Sequence, residues 1–131
     1  MRPLLPVAWA PPRGYSHGVV ATGRLVVLAG QIGWNPITAR FETDDFAGQV
    51  RQALANIVVL LGEARADPWH LVRLAWFVTD RSAYVGARRE IGHAYRAIIG
   101  PHYPPMSVII VSGLVEERAR VEIEATAVLP S

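Results

Sequence analysis

Residues 118–129 read RARVEIEATAVL, and a second apolar run, MSVIIVS at 106–112, precedes them across a short turn. Alternation in the later run puts Val121, Ile123, Ala125, Ala127 and Leu129 on one side, and Arg120, Glu122, Glu124, Thr126 and Val128 on the other. That is the period-two pattern of a strand buried on one face. The two runs are expected to pair as a closing hairpin. Chemistry on this strand belongs to its polar side, where a carboxylate has its backbone fixed by the sheet and can hold a water or a substrate N–H more rigidly than a loop residue can. The other reading of the same glutamates is that they are solvated, or neutralised by a neighbour such as Arg120.

Upstream, Tyr15 to Ala21 (YSHGVVA) reads as a short strand, Thr22-Gly23 as a turn and Arg24 to Ile32 as a longer strand, together a first hairpin. Gly30-Gln31 ends it, followed by Gly33 and the loop at Asn35-Pro36, where a chain without side chains can be approached closely. Residues 1–13 are proline-rich and are expected to form an extended arm, poorly able to join the centre of a sheet. Thr43 is a candidate N-cap, and Phe46, Val50, Leu54, Ile57, Leu61 and Ala64 recur at helical spacing, so Asp44 to about Arg65 is expected to be an amphipathic helix. Asp67-Pro68 ends it. Leu71 to Val78 is apolar on both faces and reads as a central strand. Ser82 is expected to cap a second helix running through Ile99, with Val85, Ile91, Ala94, Tyr95 and Ile98 turned inward and Gly100-Pro101 as the stop.

The order ββαβαββ implies an α/β (α+β) subunit with a mixed sheet and both helices on one face, since strand-helix-strand crossovers share a hand. The other face is left bare. Trp76 or Phe77, Val26 or Val27, and Val108 or Ile109 must point to it, whichever register holds. A monomer rarely exposes so much contiguous apolar surface, so a further subunit is expected to cover it.

At 131 residues the chain is expected to be a single domain, 1–131. It has no cysteine, which excludes disulfides, thiolate metal sites and a thiol nucleophile. All thirteen basic residues are arginine, so a Schiff-base lysine and a P-loop lysine are excluded as well. The net charge is +2 and the arginines are scattered, with Arg88-Arg89 the sole adjacent pair, which argues against a nucleic-acid partner. His17, His70, His93 and His102 show no metal-ligand spacing, and no Ser-His-Asp set or phosphate loop emerges, so neither metal nor cofactor is expected. The N-terminus does not have the form of a secretion signal and no apolar run reaches about 18 residues. No membrane contact and a cytoplasmic location are the expectation.

Gly14-Tyr15, Gly30-Gln31-Ile32, the helix carrying Gln49, Gln52 and Asn56, Val78-Thr79-Asp80 and the closing VEIEATAV occur in an order and at separations that resemble the Rid family. Its members are the reactive intermediate deaminases, also called YjgF-like and, in older labels, endoribonuclease L-PSP. The resemblance spans about residues 11–129 and implies a chorismate-mutase-like subunit and a homotrimer with ligand sites in the clefts between subunits. In deaminating members, which use no cofactor or metal, water adds to the imine of a 2-imino acid and ammonia leaves. The resemblance places the water-positioning glutamate on Glu122, the ligand-contacting tyrosine on Tyr15 and the Gly-Gln pair on Gly30 and Gln31. The family's carboxylate-binding arginine falls on Met106, just before Ser107, and methionine cannot grip a carboxylate. Loss of a charge-assisted bidentate pair removes about 3 kcal/mol or more if the carboxylate is left unpaired. Arg88, where the family has a helical asparagine, is a candidate replacement, and Met106 itself suits a neutral or aromatic small-molecule ligand.

Three functions follow as expectations. One is an enamine or imine hydrolase using Glu122, with Tyr15, Gly30, Gln31, Arg88, Met106 and Ser107 around the substrate. Another is a non-catalytic small-molecule-binding or accessory trimer. The last is an endoribonuclease, which would require a basic path and an acid/base pair that the scattered arginines do not supply.

Overall fold

The computed structural model describes residues 1–131. In chain order its elements are β1 (Arg2–Pro3), β2 (Val19–Val20), β3 (Arg24–Ile32), α1 (Phe46–Glu63), β4 (Leu71–Val78), α2 (Arg81–Gly86), α3 (Arg88–Ile98), β5 (Met106–Ile110) and β6 (Val121–Leu129), with a single 3-10 turn at Pro68–His70 before β4. The main sheet runs β3-β6-β4-β5. Strand β6 is antiparallel to both β3 and β4, and β5 is parallel to β4 at the edge, a mixed sheet of α+β type.

The closing hairpin expected from the sequence does not form, because β4 lies between β5 and β6. The connection at 111–120 is longer than the two to five residues of a tight hairpin. It wraps the end of β4 instead, with the Val111 amide donating to the Val78 carbonyl at 2.9 Å and the Thr79 amide to the Arg120 carbonyl at 3.2 Å. The first hairpin is also absent. Only Val19–Val20 of YSHGVVA is a strand, and it pairs with Arg2–Pro3 rather than with β3. The segment starts beside the opposite edge of the main sheet, where Ser16 bridges Pro105, and has to cross the subunit before β3 begins. The arm thus joins a two-residue edge ladder and leaves the sheet centre free, as its prolines require.

Asp45 caps α1, its carboxylate accepting from the Gly48 amide at 2.8 Å, and the expected cap Thr43 instead accepts from the Asp45 amide at 3.0 Å. The single helix expected from Ser82 to Ile99 is broken at Ala87 (φ −103°, ψ 8°), and its cap is Asp80, which accepts from the Ala83 amide. Gly86, a poor helix former, precedes the break, and Val85 is left 36 % exposed rather than turned inward.

Helices α1 and α3 pack on one face of the sheet. Val50, Leu54, Ile57 and Leu61 of α1 and Ile91 and Tyr95 of α3 meet Leu74, Trp76, Val121 and Ile123 in one apolar core. The opposite face is bare, and the register resolves the alternatives: Phe77, Val27 and Ile109 point to it, whereas Trp76 and Val26 join the core. Leu25 and Val27 are 67 % and 68 % exposed there.

Candidate functional site

The side chains expected to act together fall into two groups on opposite faces of the sheet. On the bare face, Glu122 pairs across β6 with Phe77 on one side and Ile32 on the other. A bulge between Leu28 and Gln31 presses Gly30 against it, so a Cβ on Gly30 would come within 2.6 Å of Glu122 Cγ and 2.7 Å of its Cδ. Glycine is needed at this point because the carboxylate arm occupies the space of a side chain. Glu122 makes no ion pair in the subunit; the two that exist are His70–Asp67 and Arg118–Asp44, and Arg120 does not neutralise it. Gln31 donates to the Ala29 carbonyl at 3.1 Å, which closes the turn at the end of β3. Ser107 lies exposed on this same face, in the row with Ala75 and Glu124.

On the helix side, a cleft of about 510 Å³ opens between α2, α3, the β5 edge and the segment at residues 13–15. It gathers Tyr15, Arg88 and Met106, which the sequence reading singled out, and adds Arg13, Trp76, Tyr84, Tyr95 and Tyr103, which it did not. All four tyrosines of the chain therefore meet in one place. No periodicity links positions 15, 84, 95 and 103; only the fold does.

The Tyr95 and Tyr103 rings stack at 5.2 Å with 13° between their planes. The Tyr95 hydroxyl donates to the His102 carbonyl at 2.7 Å. Burial pushes its pKa well above the ordinary tyrosine value, with Tyr103 adding to the shift, so it is a neutral donor and not a general base. Tyr15 is held from outside by edge-on contact with His17 at 5.4 Å, and His17 by Trp9 at 4.9 Å, which ties the proline-rich arm to the rim of the cleft. Trp76 is 3 % exposed, and its Nε1–H has no hydrogen-bond partner. An unpaired buried donor costs about 1–3 kcal/mol, and no other buried side-chain nitrogen or oxygen in the subunit is left this way.

The glutamines and asparagine of α1 have a different role from the site. Gln49 is fully buried and accepts from the Arg120 amide at 2.8 Å while donating to the Thr43 and Arg118 carbonyls. Asn56 donates to the carbonyls of Ile32 and Trp34. They fix the strand ends that carry Glu122 and Gly30-Gln31. No three histidine, aspartate or glutamate side chains converge as a metal site would require.

Known proteins resemble this chain in sequence and in overall fold. The family model described as endoribonuclease L-PSP matches residues 6–129. A RutC family protein of Haemophilus influenzae is 31 % identical over 109 residues, 83 % of this chain and 82 % of that protein. The 2-iminobutanoate/2-iminopropanoate deaminase of Escherichia coli K12 is 30 % identical over 117 residues, 87 % of this chain and 86 % of the enzyme. The crystal structure of YyfB from Yersinia pestis, a Rid family protein of unknown function, matches with a TM-score of 0.86 at 32 % identity over 98 % of each chain.

Proposed function

The chain belongs to the endoribonuclease L-PSP family, the Rid family, and from that membership we propose that it is a RidA-like imine or enamine hydrolase. Its site is built between subunits of a homotrimer. The observation that carries this reading is the unpaired Glu122 beside Gly30 on a bare apolar sheet face, with the ligand-sized cleft on the other side of the same sheet. One subunit cannot bring both to one substrate. A neighbour whose bare face meets the cleft rim can, and covering Val27, Leu25 and Ile109 contributes roughly 1.5–3 kcal/mol per side chain fully buried.

In the reaction, Glu122 accepts a hydrogen bond from a water and takes its proton as the oxygen adds to the C=N carbon. Glu122 hands that proton on to the imine nitrogen, which gives a carbinolamine. The carbinolamine then collapses: Glu122 takes the hydroxyl proton and returns it to the amine nitrogen, the C–N bond breaks, and ammonia and a carbonyl compound leave. No metal or cofactor takes part. Tyr15, Arg88 and Met106 bind the substrate from one subunit, and the Gly30-Gln31 turn and Ser107 from its neighbour. Arg88 supplies the positive charge that Met106 lacks. The reaction belongs to a small cytoplasmic metabolite, and no helix of the chain is long and apolar enough to cross a membrane.

The test is ammonia release from imino acids generated in situ by an amino-acid oxidase. Glu122→Gln, which keeps the shape and removes the base, is expected to lower turnover by at least about a hundredfold. Equal rates in the two proteins would overturn the hydrolase reading. A binding or accessory trimer is the second reading, favoured by Met106 in the cleft, and it predicts ligand binding without turnover in both proteins.

A further inference from the structure

We propose that the cleft selects a flat aromatic ligand carrying a hydrogen-bond acceptor, and that Trp76 is the residue that reads the acceptor. The proposal rests on the cleft being the ligand site, as in the reading above, and goes beyond it in naming what enters. Trp76 lines the cleft from β4, and its buried Nε1–H has no acceptor anywhere in the subunit. The nitrogen itself is sealed off in the subunit alone, so a ligand oxygen or nitrogen in the cleft satisfies it once the indole turns towards the ligand. The walls are rings: Tyr15 and Tyr84 on the outer side, and the stacked pair Tyr95 and Tyr103 on the inner side. Aromatic faces and edges favour another flat ring over an aliphatic chain of equal length. Met106 and Val108 of β5 complete an apolar floor, and a thioether beside a ring is itself a favourable contact.

Charge is confined to the exposed Arg13 and Arg88. A ligand carboxylate therefore lies towards the mouth, and the ring lies inward with its acceptor within reach of Trp76. A cleft of about 510 Å³ is in the range of sites that hold ring-sized ligands. A three-carbon acid would leave both the rings and the Trp76 donor without partners.

Three probes separate these contributions on the intact wild-type protein by calorimetry at pH 8: 4-pyridylacetate (a ring with its own acceptor, and charge), phenylacetate (ring and charge) and propanoate (charge without a ring). 4-Pyridylacetate is expected to bind about tenfold more tightly than phenylacetate, and phenylacetate at least about tenfold more tightly than propanoate. Trp76→Phe, which keeps a ring and removes the donor, is expected to cancel the advantage of 4-pyridylacetate over phenylacetate. Propanoate binding as tightly as phenylacetate, or 4-pyridylacetate no more tightly than phenylacetate, would overturn the proposal, and this wild-type series decides it even if the variant does not fold. Glu122→Gln separates the two readings. Probe selectivity retained in that variant supports this one even where its turnover equals that of the wild type and the hydrolase reading fails.

Discussion

Gly30 and Glu122 lie so close that the glutamate fills the volume a side chain at position 30 would need. Gly30→Ala must therefore push Glu122 aside. Because that arm lies on the bare side of the sheet and outside the subunit's core, the strain is relieved by moving it and not by distorting the sheet, so stability is expected to fall by no more than about 1–3 kcal/mol. In the proposed reaction the position of the attacking water is lost with it. Steady-state kinetics beside thermal unfolding should show kcat reduced at least about tenfold with a modest drop in Tm; an unchanged kcat would mean that Glu122 does not act from this position. The pairing of these residues was legible in the sequence only through family resemblance. The bulge that brings them together leaves no periodic signal, since it is an interruption of one.

Among the elements, β3 and β4 were readable to their end residues from apolar patterning, and α1 nearly so. The strand partners were not. Patterning reports which face of a strand is buried, which is a local property, whereas pairing depends on where a long connection such as 111–120 travels. Gln49 is an example of what patterning hides. Its position on α1 looks like a polar residue between apolar turns, yet it is fully buried and secures the connection to β6 through the Arg118 carbonyl and the Arg120 amide. Gln49→Leu would keep the bulk but strand both groups, each at about 1–3 kcal/mol. Chemical denaturation is expected to show a loss of at least about 2 kcal/mol, together with weaker activity, because Glu122 lies two residues beyond Arg120. A loss under half that size would mean that water replaces the amide without penalty.

At the scale of the whole molecule, the sequence foretold a bare apolar face but not the cleft behind it, because tyrosines at 15, 84, 95 and 103 show no relation until the chain is folded. In the proposed trimer this face governs assembly. Val27→Asp places a charge on it, on the β3 edge strand, without touching the core, and light scattering after size exclusion is expected to show monomers for this variant and the proposed trimer for the wild type, with hydrolysis lost in parallel; a trimer that survives the charge would place the interface elsewhere. The central claim, that Glu122 of one subunit serves the cleft of its neighbour, is tested most directly by mixing two inactive variants. Glu122→Gln and Arg88→Gln subunits are co-assembled at equal amounts and assayed for ammonia release. Head-to-tail contacts in a ring leave roughly a quarter of the sites with both native residues, so activity near that fraction of wild type is predicted. If each site belonged to a single subunit, every site would carry one lesion, and a mixture as inactive as its components would contradict the account.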